Sequence, residues 1–300
     1  MIRPVRFRSN PQTAASNAFQ QADLDRDAAA VQRLAEQEFE GLAAALKQAG
    51  VEVIVYSDTQ TPDKPDAVFP NNWLSTHSDG SVVLYPMQAV NRRAERRPDI
   101  VADLAATFGF SVGSTLDLSD AEQRDEFLEG TGSMVLDRAN RVAYACLSPR
   151  THPDLLQRWC DRFDYTAVTF KALSGDRPIY HTNVMLSVGE RLAVVCLAAI
   201  TSADEREHVR ARLAETGHEI VEISIAQMNA FAGNMLELNS GEGESLFVMS
   251  QRAYDSLDDG QRAKIRQSSR IVSVPITTIE DHAGGGVRCM LAEIFLPKKG

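Results

Sequence analysis

Cysteine is scarce in this sequence: 4 in 300 residues, with no two in a Cys-x-x-Cys pair. That excludes a disulfide framework and a zinc ribbon. Long apolar runs are also missing. The stretch from Leu192 to Ile200 holds 9 apolar residues, whereas a membrane-spanning helix needs about 20. Positive charge is short, 31 Lys and Arg against 41 Asp and Glu, so the net charge of −10 disfavours binding to phosphate backbones. The opening Met1–Arg8 has no apolar core, so no secretory signal is expected. No Pro/Gly/Ser-rich linker divides the chain. With 44% hydrophobic residues there is ample apolar surface for a core. The expectation is one domain over residues 1–300, soluble and cytoplasmic, with neither nucleic acid nor membrane as partner.

What is present is a repeat. Four segments share one order: a small or amide residue, an apolar strand, a polar or glycine turn, and a second apolar strand. They begin at Asn72, Gly132, Asn183 and Asn234, a period of roughly 50–60 residues. Their turns are Ser78–Gly80, Asp137–Asn140, Val188–Glu190 and Ser240–Gly243, which read as hairpins. Helical candidates follow at 92–108, 152–163, 203–216 and 259–268. In the second of these, Leu155, Leu156, Trp159 and Phe163 recur at amphipathic spacing. Further strands are expected at 51–56, 165–170, 219–223 and 270–274. The fold class predicted is α/β, with repeated ββαβ units arranged radially. A fifth unit would combine a C-terminal strand, Met290–Leu296, with the N-terminal segment.

The chemistry-bearing residues sit at equivalent places in the repeat. Gly284-Gly-Gly-Val-Arg-Cys289 puts a thiol after three glycines and beside Arg288, a setting that favours thiolate. Cys146, Cys160 and Cys196 lie in apolar strands or an amphipathic helix and read as structural. A nucleophilic cysteine needs an acid/base, usually histidine. His77, His208 and His218 stand in polar or turn contexts and are expected at the surface. His152 begins a helix, and His282 lies close to Cys289 in sequence. His181 precedes a repeated hairpin strand. Radial symmetry brings equivalent positions to one axis, so Asn72, Glu129, His181, Asn183, Asn234 and Cys289 would converge there.

In combination these motifs resemble the pentein superfamily of guanidine-modifying enzymes: arginine deiminases, dimethylarginine dimethylaminohydrolases and amidinotransferases. Gly284–Cys289 looks like the nucleophile loop of arginine deiminases. Glu129-Gly130 looks like their Glu-Gly-Gly-Asp motif, with Thr131-Gly132 in place of Gly-Asp, and His181-Thr-Asn183 looks like their His-x-Asp. Asp66-Ala-Val-Phe69-Pro-Asn-Asn72 resembles a segment ending in a substrate-holding aspartate. Together with the opening Arg3-Pro-Val-Arg-Phe-Arg-Ser-Asn-Pro, it is similar to the arginine-deiminase-related group that includes citrulline-utilisation hydrolases. The resemblance implies the five-fold pseudo-symmetric α/β propeller, with Cys289 as nucleophile, His181 as acid/base and Glu129 as supporting carboxylate. It implies an amino-acid substrate bound by Asn72, Asn183, Asp66, Asn234, Arg288 and Phe69, with neither metal nor organic cofactor. A homo-oligomer is compatible with it.

Two departures set the expected substrate. The relatives clamp a guanidinium cation between two aspartates through charge-assisted hydrogen bonds. Here both positions are amides, Asn72 and Asn183. An amide offers a donor and an acceptor, which suits a neutral ureido group. The expected reaction is therefore citrulline to ornithine, ammonia and carbon dioxide. The alternatives are a guanidine hydrolase of the arginine deiminase, dihydrolase or dimethylarginine type, then an amidinotransferase, then a non-catalytic propeller used for binding.

Overall fold

The computed structural model describes residues 1–21 and 27–299. Four three-stranded sheets repeat one connectivity. In the first, Leu74–Thr76 and Ser81–Leu84 form an antiparallel hairpin, and Ser114–Asp117 pairs parallel to the second strand. Val135–Asp137, Val142–Cys146 and Thr166–Phe170 repeat it, as do Leu186–Val188, Leu192–Val195 and Glu219–Glu222. Leu236–Asn239, Ser245–Ser250 and Arg270–Val274 form the fourth. A parallel neighbour requires a crossover, supplied by helices Pro98–Ala106, Pro153–Phe163, Ala203–Glu215 and Asp259–Ser268. These are the four ββαβ units that the repeat predicts. Each middle strand is covered on both faces and is almost wholly apolar, as burial on two sides demands.

The helices follow local signals. Pro153 opens its helix at a position where no donor is needed, and the His152 ring accepts from Asp154 N at 3.3 Å. Leu155, Leu156, Trp159 and Phe163 then turn inward. The helix expected over 92–108 is broken instead. A 3-10 segment, Val90–Glu95, precedes Pro98–Ala106, because Pro98 disfavours helical geometry at Arg97, which sits at φ −119° and ψ 92°. The longest helix, Ala28–Gln48, went unforeseen. Asp27 caps it, and Val31, Ala35, Phe39, Leu42 and Leu46 bury one face at 3–4 residue spacing. Among the described residues no helix is long and apolar enough to cross a membrane.

The expected fifth unit needs correction. Ile2–Arg3 pairs parallel to Tyr56–Ser57 across the long helix, so little of the 51–56 strand forms. The predicted strand Met290–Leu296 does not form either. Met290 ends a 3-10 turn, and the segment after it is taken up by the first unit. The Thr76 hydroxyl donates to Glu293 O at 3.0 Å and accepts from Phe295 N at 2.8 Å, while Ser111 N donates to Pro297 O at 2.7 Å. Backbone groups so engaged are not free for a ladder.

The turns that open the units pack against one another. Pro70–Asn72 touches Gly130–Ser133, which touches Thr182–Val184, and Val287–Met290 packs on Pro70–Asn72. Two glycines make this approach feasible. Gly130 has φ +50°, and a Cβ there would overlap Asn71 O; one at Gly132 would fall 2.6 Å from Asn72 Nδ2 and 2.7 Å from His181 Nδ1. Gly130→Ala therefore combines left-handed strain with overlap and should cost about 2–4 kcal/mol. The denaturant midpoint at unchanged m-value measures it; a midpoint equal to that of the unsubstituted protein would show that the turns do not need this contact.

Candidate active site

Glu129 lies at the centre of the packed turns, fully buried. Its Oε2 is 2.7 Å from His181 Nε2, 3.5 Å from an Arg150 nitrogen and 3.7 Å from an Arg92 nitrogen; Oε1 accepts from Gln88 N at 3.0 Å. Burial opposes the charge, yet Arg150, His181 and Arg92 outweigh it and hold the carboxyl well below the usual range. An ionised carboxylate only accepts, so Nε2 of His181 carries the ring proton and Nδ1 keeps its lone pair. Burial pushes His181 below its ordinary value against the pull of Glu129, so the ring is neutral at pH 7.

Cys289 lines the same cavity as His181. Its Sγ receives Asn234 Nδ2 at 3.3 Å and Asn183 Nδ2 at 3.4 Å. Burial raises the thiol above its usual range; Asn234, Asn183, the Gly286 backbone and Arg288 counter it. The three glycines before it fit three surfaces. Gly284 is left-handed, φ +64°, and abuts Asn17 and Gln20; a Cβ on Gly285 would strike the Phe69 ring, and one on Gly286 would strike Asn234 Oδ1.

Cys289, His181, Asn72, Asp66 and Phe69 line one small cavity. Asn72 Oδ1 accepts from Arg92 at 3.1 Å. Asp66 Oδ2 accepts from Asn10 at 2.8 Å, and its Oδ1 is buried with no hydrogen-bond partner. Asn183 and Asn234 stand behind the thiol: Asn234 Nδ2 also donates to Asn183 O at 2.8 Å, and its Oδ1 accepts from Arg288 N at 3.0 Å. Arg288 is not brought in. Its guanidinium donates to Leu291 O at 2.9 Å and pairs with Glu293 at 3.0 Å, bordering a separate cavity at the other end of the turns.

Sequence reasoning missed Arg92, Arg150, Thr13, Asn17 and Tyr180, all of which line the cavity. Arg92 pairs with Glu95 at 2.9 Å and reaches Asp66 at 3.7 Å. Arg150 donates to Ser16 Oγ at 2.6 Å and lies over the Tyr180 ring. One signal was available, since both arginines follow the second hairpin strand of consecutive units. The N-terminal segment covers the cavity and is held at both ends. Arg8 pairs with Asp63, the Ser9 hydroxyl is 3.1 Å from His282 Nδ1, and Asn17 donates to Ala283 O at 2.9 Å. Two other histidines differ from expectation, while His208 is exposed as expected. His77 stacks on Phe163 at 4.1 Å, and His218 is buried between Thr216 and Gly189, because each ring has local hydrogen-bond partners. Burial pushes the thiols of Cys146, Cys160 and Cys196 up to about 12, about 12 and about 11, as suits structural positions.

A buried thiol, a neutral histidine and a carboxylate bonded to that histidine are thus brought together, and the comparisons identify the family. Residues 3–296 match the family model described as N,N dimethylarginine dimethylhydrolase, eukaryotic. The chain belongs to that family, and with it to the pentein superfamily of arginine-modifying hydrolases. No curated protein matches it. Among solved structures, the N-terminal domain of ArgZ with a covalently bound reaction intermediate is 18% identical, with a TM-score of 0.75, covering 99% of this chain and 98% of that one. ArgZ is described as an arginine dihydrolase from the ornithine–ammonia cycle in cyanobacteria. AgrE in complex with ornithine and NAD+ is 19% identical, with a TM-score of 0.76; the match covers all of this chain but 39% of AgrE. A dimethylarginine dimethylaminohydrolase adduct with S-methyl-L-thiocitrulline is 14% identical, with a TM-score of 0.64, covering 96% of each chain. At these identities the solved structures establish the fold, a mixed α/β fold of the pentein type.

The burial of His181 fixes its protonation. Its ring resonances should stay in the neutral form from pH 8 down through the ordinary histidine range near 6.5. A nitrogen-detected titration with a midpoint at or above that value would contradict the desolvation that the structure shows.

Proposed function

We propose that the chain is a cysteine-dependent hydrolase of the ω C–N bond of an arginine-type amino acid. The observation that carries it is the shared cavity of Cys289 and His181, with Glu129 holding the far side of the ring. Guanidino compounds are the class that the relatives favour, since the family model is named for dimethylarginine and ArgZ for arginine.

In the first half-reaction Cys289 gives its proton to Nδ1 of His181, and Sγ forms a bond to the ω-carbon. The tetrahedral adduct breaks a C–N bond, and the leaving nitrogen takes the proton from His181. In the second half-reaction water attacks the S-bound carbon and yields its proton to His181. The C–S bond then breaks and the thiol is restored. Glu129 steadies the imidazolium in both. Arg92 and Arg150 offer cationic nitrogens for the substrate carboxylate, and the unpartnered Oδ1 of Asp66 suits its α-ammonium. Arg288, committed to Leu291 and Glu293, is a poorer candidate for that role. A reduced thiol fits a cytoplasmic setting. A radial body of five units, the fifth completed by the two chain ends without the Met290–Leu296 strand, fits a site assembled from successive unit-opening turns.

A second reading rests on one observation. Asn72 lines the cavity and Asn183 holds the sulfur, at positions where the arginine deiminases that the motifs resemble carry aspartates. A guanidinium would lose two counter-charges at a cost of several kcal/mol, whereas the ureido group of citrulline would not. If the amine leaves first, the S-carbamoyl enzyme hydrolyses to carbamate and then to ammonia and carbon dioxide.

A panel of arginine, methylated arginines, agmatine and citrulline, with ammonia and amino-acid products both measured, separates the readings. Hydrolysis of a guanidino compound supports the first. Ornithine formed from citrulline alone selects the second, and amine-dependent transfer would indicate an amidinotransferase. Cys289→Ala and His181→Ala should each lower kcat/KM by about 10²–10⁴-fold or more. Full turnover in either variant, or no turnover of the whole panel, would sink the assignment and leave a binding protein.

A further inference from the structure

Two amides meet on one sulfur. Asn183 comes from the turn opening the third unit, at Thr182–Val184, and Asn234 from the turn before Leu236–Asn239. Both donate to Cys289 Sγ, at 3.4 and 3.3 Å, and both are about 1% exposed. Asn234 is positioned independently of the thiol, braced by Asn183 O at 2.8 Å, by Arg288 N at 3.0 Å and by the absence of a side chain at Gly286. Asn183 is held through its backbone, whose carbonyl receives that bond, while its Oδ1 is buried with no hydrogen-bond partner and its Nδ2 is directed at Sγ. Cys289 is 3% exposed, so these N–H groups supply solvation that a buried anionic sulfur would otherwise lack.

We infer that Asn183 and Asn234 form a preorganised donor pair for the Cys289 thiolate, stabilising the sulfur anion left when its proton passes to His181. The inference rests on the reading of Cys289 as nucleophile and deepens it. It assigns Asn183 a role other than reading the substrate's terminal group. An aspartate at that position would set a carboxylate against the sulfur, and two like charges at that separation repel. Asn234 serves both states, because its Oδ1 lies 3.8 Å from Sγ and can accept the S–H. The charged and titratable groups facing the sulfur are His181 and Tyr180 from the third unit, Arg92, Arg150 and Asp66 across the cavity, and Arg288 on its own segment. The side-chain hydrogen bonds to Sγ come from the two amides.

Thiolate ultraviolet absorbance followed against pH, with Cys289→Ser as the blank, reads the ionisation without requiring entry of a reagent or turnover. The other three thiols cancel in the difference. Asn234→Ala and Asn183→Leu should each raise the thiolate midpoint by about one pH unit. Asn183→Asp, which keeps the shape, should raise it further, and Asn234→Ser, which keeps a donor, should raise it less than Asn234→Ala. Asn183→Asp serves if the apolar variants fail to fold, as judged by a cooperative melt. A midpoint unchanged in Asn183→Asp and Asn234→Ala overturns the donor pair, whatever the substrate panel returns. A raised midpoint in a protein inert towards the whole panel keeps the pair and removes only the reaction.

Discussion

The charge on Glu129 is the constraint around which the rest of the site is arranged. A carboxylate removed from water is tolerated only with partners, and here they come from separate places in the chain. Arg92 arrives from the segment after the first hairpin, Arg150 from the one after the second, and His181 from the start of the third unit. Each cation is itself tied onward, Arg92 to Glu95 and Asp66, and Arg150 to Ser16. The charge therefore couples the register of three units to that of the N-terminal segment. It also fixes the histidine tautomer, the one electronic detail on which proton transfer depends.

Much of this arrangement was legible in the sequence, for a particular reason. Hairpin strands carry their signal locally, in apolar runs around Gly, Asp and Asn turns, so the four units could be read one at a time. Repetition then converted sequence position into spatial position, and Glu129, His181 and Cys289 could be placed together without any contact being known. Arg92 escaped because it lies in a 3-10 segment that reads as the start of a helix until Pro98 is given its weight. Arg150 escaped because a lone arginine in a loop carries no pattern. The helix Ala28–Gln48 lay outside the repeat and was overlooked despite clear periodicity. The fate of the C-terminal segment was not legible at all, since it depends on one hydroxyl, that of Thr76, bracketing two backbone groups more than 200 residues away.

The substitution of amides for the expected carboxylates acts on two levels. Around Asn72 it alters what the cavity can neutralise, which bears on substrate charge. Around Asn183 it alters what the sulfur sees, which bears on the nucleophile before any substrate arrives. Charge removed from one clamp is thus a change in two equilibria, and the balance between guanidino and ureido chemistry is set by both.

The glycines ahead of Cys289 have a consequence for how the enzyme comes into being. Their run suggests pliancy, but each is pressed against a different part of the molecule: Asn17 and Gln20 of the N-terminal segment, Phe69 before the first unit, and Asn234 of the fourth. Without those neighbours nothing holds the loop. A chain still emerging, or cut anywhere between these contacts, would carry its cysteine as an ordinary thiol. The surroundings of Cys289 are in this sense a product of completed assembly, conferred at the end of folding rather than stored in the loop.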